Sequence, residues 1–241
     1  MTDNYAALGD IVTQSRQLLD LIKGGALAKF DQDAKAFLAN MQDTAPNIAL
    51  TRNQVLGASV GRTLPDCLGV NQKVTLSLVA SINGNPTARD AQAKSLLADI
   101  QTGVQRDYAD FRIRESNWYW KTFNIYRVSW DFLADDIKYL VFPSMNELLS
   151  PVPGGRPMTS AAFVKLEQGE LIQSNDAHFA QGAVLGEWRF TKTDYNVNAF
   201  GYYIHAHPYA QSLQGSMLIA LPVVATGYLN HPNKLFALAE M

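Results

Sequence analysis

Apolar residues recur at alternating intervals of three and four through the first forty positions. Leu8, Ile11, Ser15, Leu18 and Ile22 form one stripe, and Phe30, Ala34, Phe37 and Met41 form another, with Gly24-Gly25 between them. Each stripe covers about two heptads and is too narrow to close a core of its own, so its natural completion is burial against copies of itself. Pro46 then stops the pattern, because proline lacks an amide hydrogen and restricts the residue before it. The spacing predicts two short helices over residues 1–45 that can bend or dock separately at the glycine pair, an attachment and oligomerisation segment.

The period changes after that. Val74, Leu76, Leu78, Ala80 and Ile82 alternate with Thr75, Ser77 and Ser81, which predicts a half-buried strand ended by Asn83-Gly84-Asn85-Pro86. Thr87 can cap a helix whose apolar face runs through Ala93, Leu97, Ile100, Val104, Tyr108 and Phe111. Aromatic and β-branched residues crowd 117–132 and predict a strand or paired strands, and a second helix is expected over Asp135 to Leu149 with Pro143 interrupting it. Pro151-Val152-Pro153-Gly154-Gly155-Arg156-Pro157 is the clearest punctuation in the chain. Beyond it, Val184 to Phe190, Phe200 to His207 and Ser216 to Ala225 read as strands of a sandwich or an interlocked β-assembly.

The expected fold class is α+β: a coiled-coil-like helical segment over 1–45, a mixed α/β globular region over 46–150, a linker over 151–157 and a β-rich C-terminal domain over 158–241. Composition narrows the function classes. The 241 residues are 47% hydrophobic and only 17% charged, with 20 basic against 22 acidic side chains, so no field is available to hold nucleic acid or an anionic membrane. No secretory leader opens the chain, and its longest apolar run, Met217 to Ala225, is far short of the roughly 20 residues of a membrane-spanning helix. Cys67 is the only cysteine, which excludes an intrachain disulfide.

His205-Ala206-His207 is the sharpest chemical motif. On a strand the two imidazoles share a face, and three parallel copies around an axis would bring six nitrogens to one transition metal. The same pair can instead line a polar groove or satisfy backbone groups within one subunit. With its short N-terminal helical segment ahead of β-rich sequence, the chain resembles bacteriophage tail-fibre and tail-spike proteins, some of which stack His-x-His pairs from three intertwined strands around iron. It departs from them in having a single pair, no Gly-rich fibrous repeats and a patterned globular middle. The resemblance implies a homotrimeric virion component of the tail, assembled in the host cytoplasm. It would be held by Leu8, Ile11, Leu18, Ile22, Phe30, Phe37 and Met41, would contact other tail or baseplate proteins, and would carry an axial iron on His205 and His207.

Two other constellations keep different classes open. Trp118, Trp120, Tyr126 and Trp130 could stack on the sugars of a host polysaccharide receptor, with Asp131, Asp135 and Asp136 beside them, or they could be core. Gly57-Ala58-Ser59-Val60-Gly61 matches the nucleophile elbow of serine hydrolases, although Val55-Leu56 and Thr63-Leu64-Pro65 are poor flanks for the strand and helix that such a turn joins. A serine esterase-like or polysaccharide-degrading hydrolase, or an interaction module pairing its helices with another protein, are the competing readings.

Overall fold

A computed structural model describes residues 2–44, 46–116, 120–196 and 203–240, with the backbone alone for 2–8, 38–44 and 240. The chain forms two compact units, Met1–Ala45 and Pro46–Met241. It is mixed α/β, with helix at the N-terminus and a five-stranded antiparallel sheet after it.

The first unit is α1 (Thr2–Leu21), a π-helical turn over Ile22–Ala26 and α2 (Leu27–Thr44). Gly24-Gly25 therefore does not divide the segment into separate helices as expected. The backbone stays helical and widens by one residue, with the Leu27 N–H bonding the Ile22 carbonyl. Leu8 and Met41 fall in α1 and α2, but their side chains lie outside the described residues. From Gly9 to Phe37 every side chain except the half-buried Ala34 is exposed.

The second unit is organised around its longest strand, which both sheet neighbours cover. In chain order it contains β1 (Leu68–Val70), β2 (Val74–Ile82), α3 (Ala91–Val104), β3 (Phe123–Asp131), β4 (Val141–Pro143), β5 (Val152–Pro153), β6 (Pro157–Gln168), β7 (Trp188–Asn196), β8 (Tyr203–Ile204), β9 (Gln214–Thr226) and α4 (Asn233–Glu240). The sheet order is β2-β3-β9-β6-β7, and β1-β4 and β5-β8 form two small ribbons. β9 is buried almost throughout because both faces of the sheet are covered. Leu218 and Ala220 face a core closed by Leu97, Ile100 and Val104 of α3 and Leu235 and Phe236 of α4. Met217 and Ile219 face a second core closed by Leu140, Val141, Leu171 and Phe179 from connecting segments. Pro222 is accommodated at a bulge, where Leu221 and Pro222 together oppose Ala162 and Leu221 takes φ 52.

β2 forms where the alternation predicts it, but its apolar residues do not share one face. Val79 is extra between the pairs Leu78–Tyr126 and Ala80–Ile125, and this bulge flips the strand. Val74 and Leu76 consequently pack in the second core, while Ala80 and Ile82 pack in the first. The helix after it starts later than expected: Asp90, whose carboxylate accepts from Ala93 N at 2.7 Å, is the N-cap, and Thr87 lies in a 3-10 turn. It also ends at Val104. Phe111 is reached by turns instead, held by Gln105 Nε2 to Phe111 O at 2.9 Å and Ile113 N to Gln101 Oε1 at 2.8 Å.

The helix expected over Asp135–Leu149 is replaced by turns and β4, because Asn146 and Ser144 use their side chains to satisfy local backbone groups and Pro143 supplies no amide hydrogen. The segment 151–157, expected as an interdomain linker, carries β5 and opens β6. One sheet draws β2 and β3 from before it and β6, β7 and β9 from after it, all within the second unit. The C-terminal half is accordingly part of that sheet and not a separate sandwich. Its first expected strand begins at Trp188, and its second is only Tyr203–Ile204, with Phe200 outside the described residues.

Candidate functional site

Three of the four histidines, His178, His205 and His207, converge in a way their spacing conceals. Ser174 caps the 3-10 turn Asn175–Ala180, and inside it His178 adopts φ 47, ψ −124, a conformation that costs a non-glycine residue about 1–3 kcal/mol. Surrounding contacts hold it there. Thr193 and Thr191, both buried on β7, donate to the carbonyls of His178 and Phe179, and His178 Nδ1 lies 2.6 Å from Tyr195 Oη. From the other side, β8 leads into His205-Ala206-His207, a three-residue turn closed by His207 N to His205 O at 2.8 Å.

The His205 and His207 rings lie side by side, 5.8 Å apart and 26° from parallel, as the motif predicts although the strand has already ended. His178 packs 5.6 Å from His207, Tyr139 5.3 Å from it, and Phe142 4.9 Å from His205. His207 Nε2 is 3.0 Å from Tyr209 Oη. Burial pushes His178 and His207 down to about 4, with the neighbouring imidazoles reinforcing the effect on His207 and Asp176 opposing it on both. Burial lowers His205 as well. At neutral pH the group is an uncharged aromatic and hydrogen-bonding cluster.

Within one chain His207 is not open to a metal. One nitrogen of His207 is engaged by Tyr209 and the other is closed off from solvent. Among the described residues no three or more His, Cys, Asp or Glu side chains are placed to hold a metal ion. His178, which spacing alone reads as a loop residue without a partner, is the member that sequence could not supply. The remaining histidine, His231, sits apart, against Tyr108 and 3.4 Å from Asp110.

Two of the four residues of the expected aromatic receptor platform are not on the surface. Tyr126 and Trp130 are 5% and 3% exposed in the second core, where Gly215 leaves the space that the Trp130 ring fills. Trp120 stacks on Phe236 with centroids 4.0 Å apart beneath Arg89, and Trp118 lies outside the described residues. Asp131 is exposed and Asp136 half-buried, and both tie local structure, accepting from Gln214 Nε2 at 2.9 Å and Leu133 N at 2.7 Å.

Ser59 occupies a turn, not an elbow between a strand and a helix. Its hydroxyl donates to Asp66, which lowers that carboxyl. Arg62 bridges Asp66 and Glu147 at 3.1 and 2.8 Å, and Cys67 Sγ donates to Glu147 Oε1 at 3.0 Å. Burial and Glu147 push the thiol up to about 11, so it stays protonated and unreactive. Of the candidate bases, His178 is engaged by Tyr195 and His231 lies against Asp110, and the partner of the Ser59 hydroxyl is Asp66, where an esterase nucleophile pairs with a base.

The remaining candidates are the oligomerisation residues. Ile11, Leu18, Ile22, Phe30 and Phe37 are all exposed, from 47% at Ile22 to 72% at Phe30. An apolar stripe of this size facing solvent is the unusual surface of the molecule, since soluble proteins rarely leave such patches uncovered. Among the described residues no helix is long and apolar enough to cross a membrane. Comparison with known proteins returns no match: no family model, no curated protein and no solved structure resembles the chain.

Proposed function

We propose that the chain is a self-assembling structural component of a bacteriophage tail or a related particle. Residues 2–44 join three copies and attach them to neighbouring tail or baseplate proteins, and the second unit is presented toward the host surface, where it meets polysaccharide or protein. The observation that carries this reading is the exposed heptad-spaced face of the first unit, which has the composition of a helix interface and no element of its own unit to bury it. The second unit is consistent with a structural role: the Ser59 hydroxyl is held by Asp66, and His207 Nε2 lies 3.0 Å from Tyr209 Oη.

Mass in solution tests the reading. The full chain should sediment at three times its 26.6 kDa mass, and the chain lacking residues 1–45 should sediment as a folded monomer. A monomer in both cases would overturn it.

A further inference from the structure

We propose that the π turn at Ile22–Ala26 is a phase corrector, which fuses the two apolar stripes of the first unit into one continuous seam for a second copy of the same helix; the proposal rests on the self-assembly reading above. Along the sequence, the seam advances by three, four, three and four from Leu8 to Ile22. It advances by three, four, three and four again from Leu27 through Phe30, Ala34 and Phe37 to Met41. The single irregular step is five, from Ile22 to Leu27.

On an unbroken α-helix five residues turn through about 500°, which would leave Leu27 about 140° away from Ile22 and carry Phe30 and Phe37 round with it. Two short stripes on different faces would result, each too brief to hold a partner. In the structure that step is the π turn. Leu27 N–H bonds the Ile22 carbonyl, an i→i+5 hydrogen bond, so the two residues stack one above the other. The extra residue is absorbed, and Phe30 and Phe37 continue the line of Ile11, Leu18 and Ile22.

Gly24 and Gly25 sit inside the widened turn with open space where their side chains would be. The turn is thus not forced by crowding around the glycines. What it achieves is alignment.

The seam with its flanks matches a second copy in area and in pattern. Nine large apolar side chains stand exposed between Ile11 and Phe37, six on the seam and three on its flanks, an apolar surface of the order of the ~800 Å² that each partner contributes to a stable interface. The heptad rhythm resumes on both sides of the turn, so an in-register copy meets knobs with holes along the whole length. Val12, Leu19 and Leu21 are exposed on the flanks and widen the face beyond a strict two-helix stripe, which favours more than two copies.

The test uses the full chain and changes only its phase. Deleting Gly24 shortens the step from five to four, which a plain α-helix carries in line as part of an 11-residue rhythm. Inserting one alanine between Gly24 and Gly25 lengthens it to six and parts the stripes by about 100°. Sedimentation equilibrium should find the deletion variant assembled at least as tightly as the natural chain. The insertion variant should dissociate at least tenfold more readily, with the second unit unfolding at an unchanged denaturant midpoint. An insertion variant that assembles as tightly as the natural chain, or a deletion variant that falls apart, overturns the phase assignment while self-assembly stands. A natural chain that is monomeric at every concentration overturns self-assembly itself, and the phase assignment with it.

Discussion

The two units of this chain treat the same side chain in opposite ways. Phe163 on β6 is fully buried between β7 and β9, in ring contact with Phe111, Phe190 and Phe236, while Phe30 and Phe37 stand in solvent on α2. In the second unit the sequence completes its own hydrophobic faces: one side of the sheet is closed by α3 and α4, the other by connecting segments. In the first unit the apolar face is just as regular and stays open. Within that unit no other element closes the face, and here lies the contrast between the two units.

The sharpest way to break that contrast is to make one substitution on both sides of it. Phe163→Ala empties a closed core and should lower the unfolding free energy of the second unit by about 3–5 kcal/mol. Phe37→Ala should leave that unfolding midpoint where it is and weaken self-association instead. Denaturant unfolding and sedimentation, run on both variants, separate the effects; loss of second-unit stability on truncating Phe37 would mean that the units share a core.

Glycines give a smaller version of the same comparison. A Cβ on Gly103 of α3 would meet the Trp188 carbonyl oxygen at 2.2 Å, whereas one on Gly24 would meet nothing. Gly103→Ala should therefore push α3 off β7 at a cost of about 1–3 kcal/mol, read as a lowered unfolding midpoint of the second unit. Gly24→Ala removes the conformational freedom of glycine without altering residue count, and helicity in the first unit should rise by up to about 1 kcal/mol of helix stability. A destabilised helix would show that the π turn requires glycine.

The same contrast explains how much the sequence could disclose. Where a segment is amphipathic against its own chain, periodicity finds it: β2, the body of α3, β3 and β9 all lie where their patterns put them. The failures come where a single residue changes phase. Val79 flips β2 from one core to the other, Leu221 and Pro222 do the same within β9, and the π turn rejoins two stripes that a uniform helix would separate. None of these has a composition signal, because each is decided by what packs on both sides. The candidate sites divide in the same manner. The exposed heptad residues were legible because their spacing is local to one helical segment. The histidine cluster was half legible: His205 and His207 are neighbours in sequence, but His178 joins them only because β7 threonines and Tyr195 hold a strained turn in place. Tyr126 and Trp130 misled because an aromatic strand looks the same from sequence whether it faces a sugar or a core.

A further expected difference between the units is one of titration. All four histidines lie in the second unit. In the unfolded chain His178 and His207 bind protons at the ordinary value near 6.5, whereas burial pushes both down to about 4 in the folded state. Above about pH 6.5 both are neutral in either state and their contribution to stability is complete. As the pH falls from there toward 4, the unfolded chain takes up protons that the folded chain refuses, so stability declines across that window and the loss is complete once the folded rings titrate too. The groups facing them set its depth: Asp176 raises both values and so softens the decline, while His205 and His178 deepen it at His207. Denaturant midpoints of the second unit should fall between pH 7 and 4.5, and His207→Gln should flatten the slope by up to about one proton. Association through the histidine-free helix should hold its affinity over the same interval. An assembly that dissociates in step with the second unit would mean that the histidine-bearing unit, and not the helical seam alone, contributes the contact between copies.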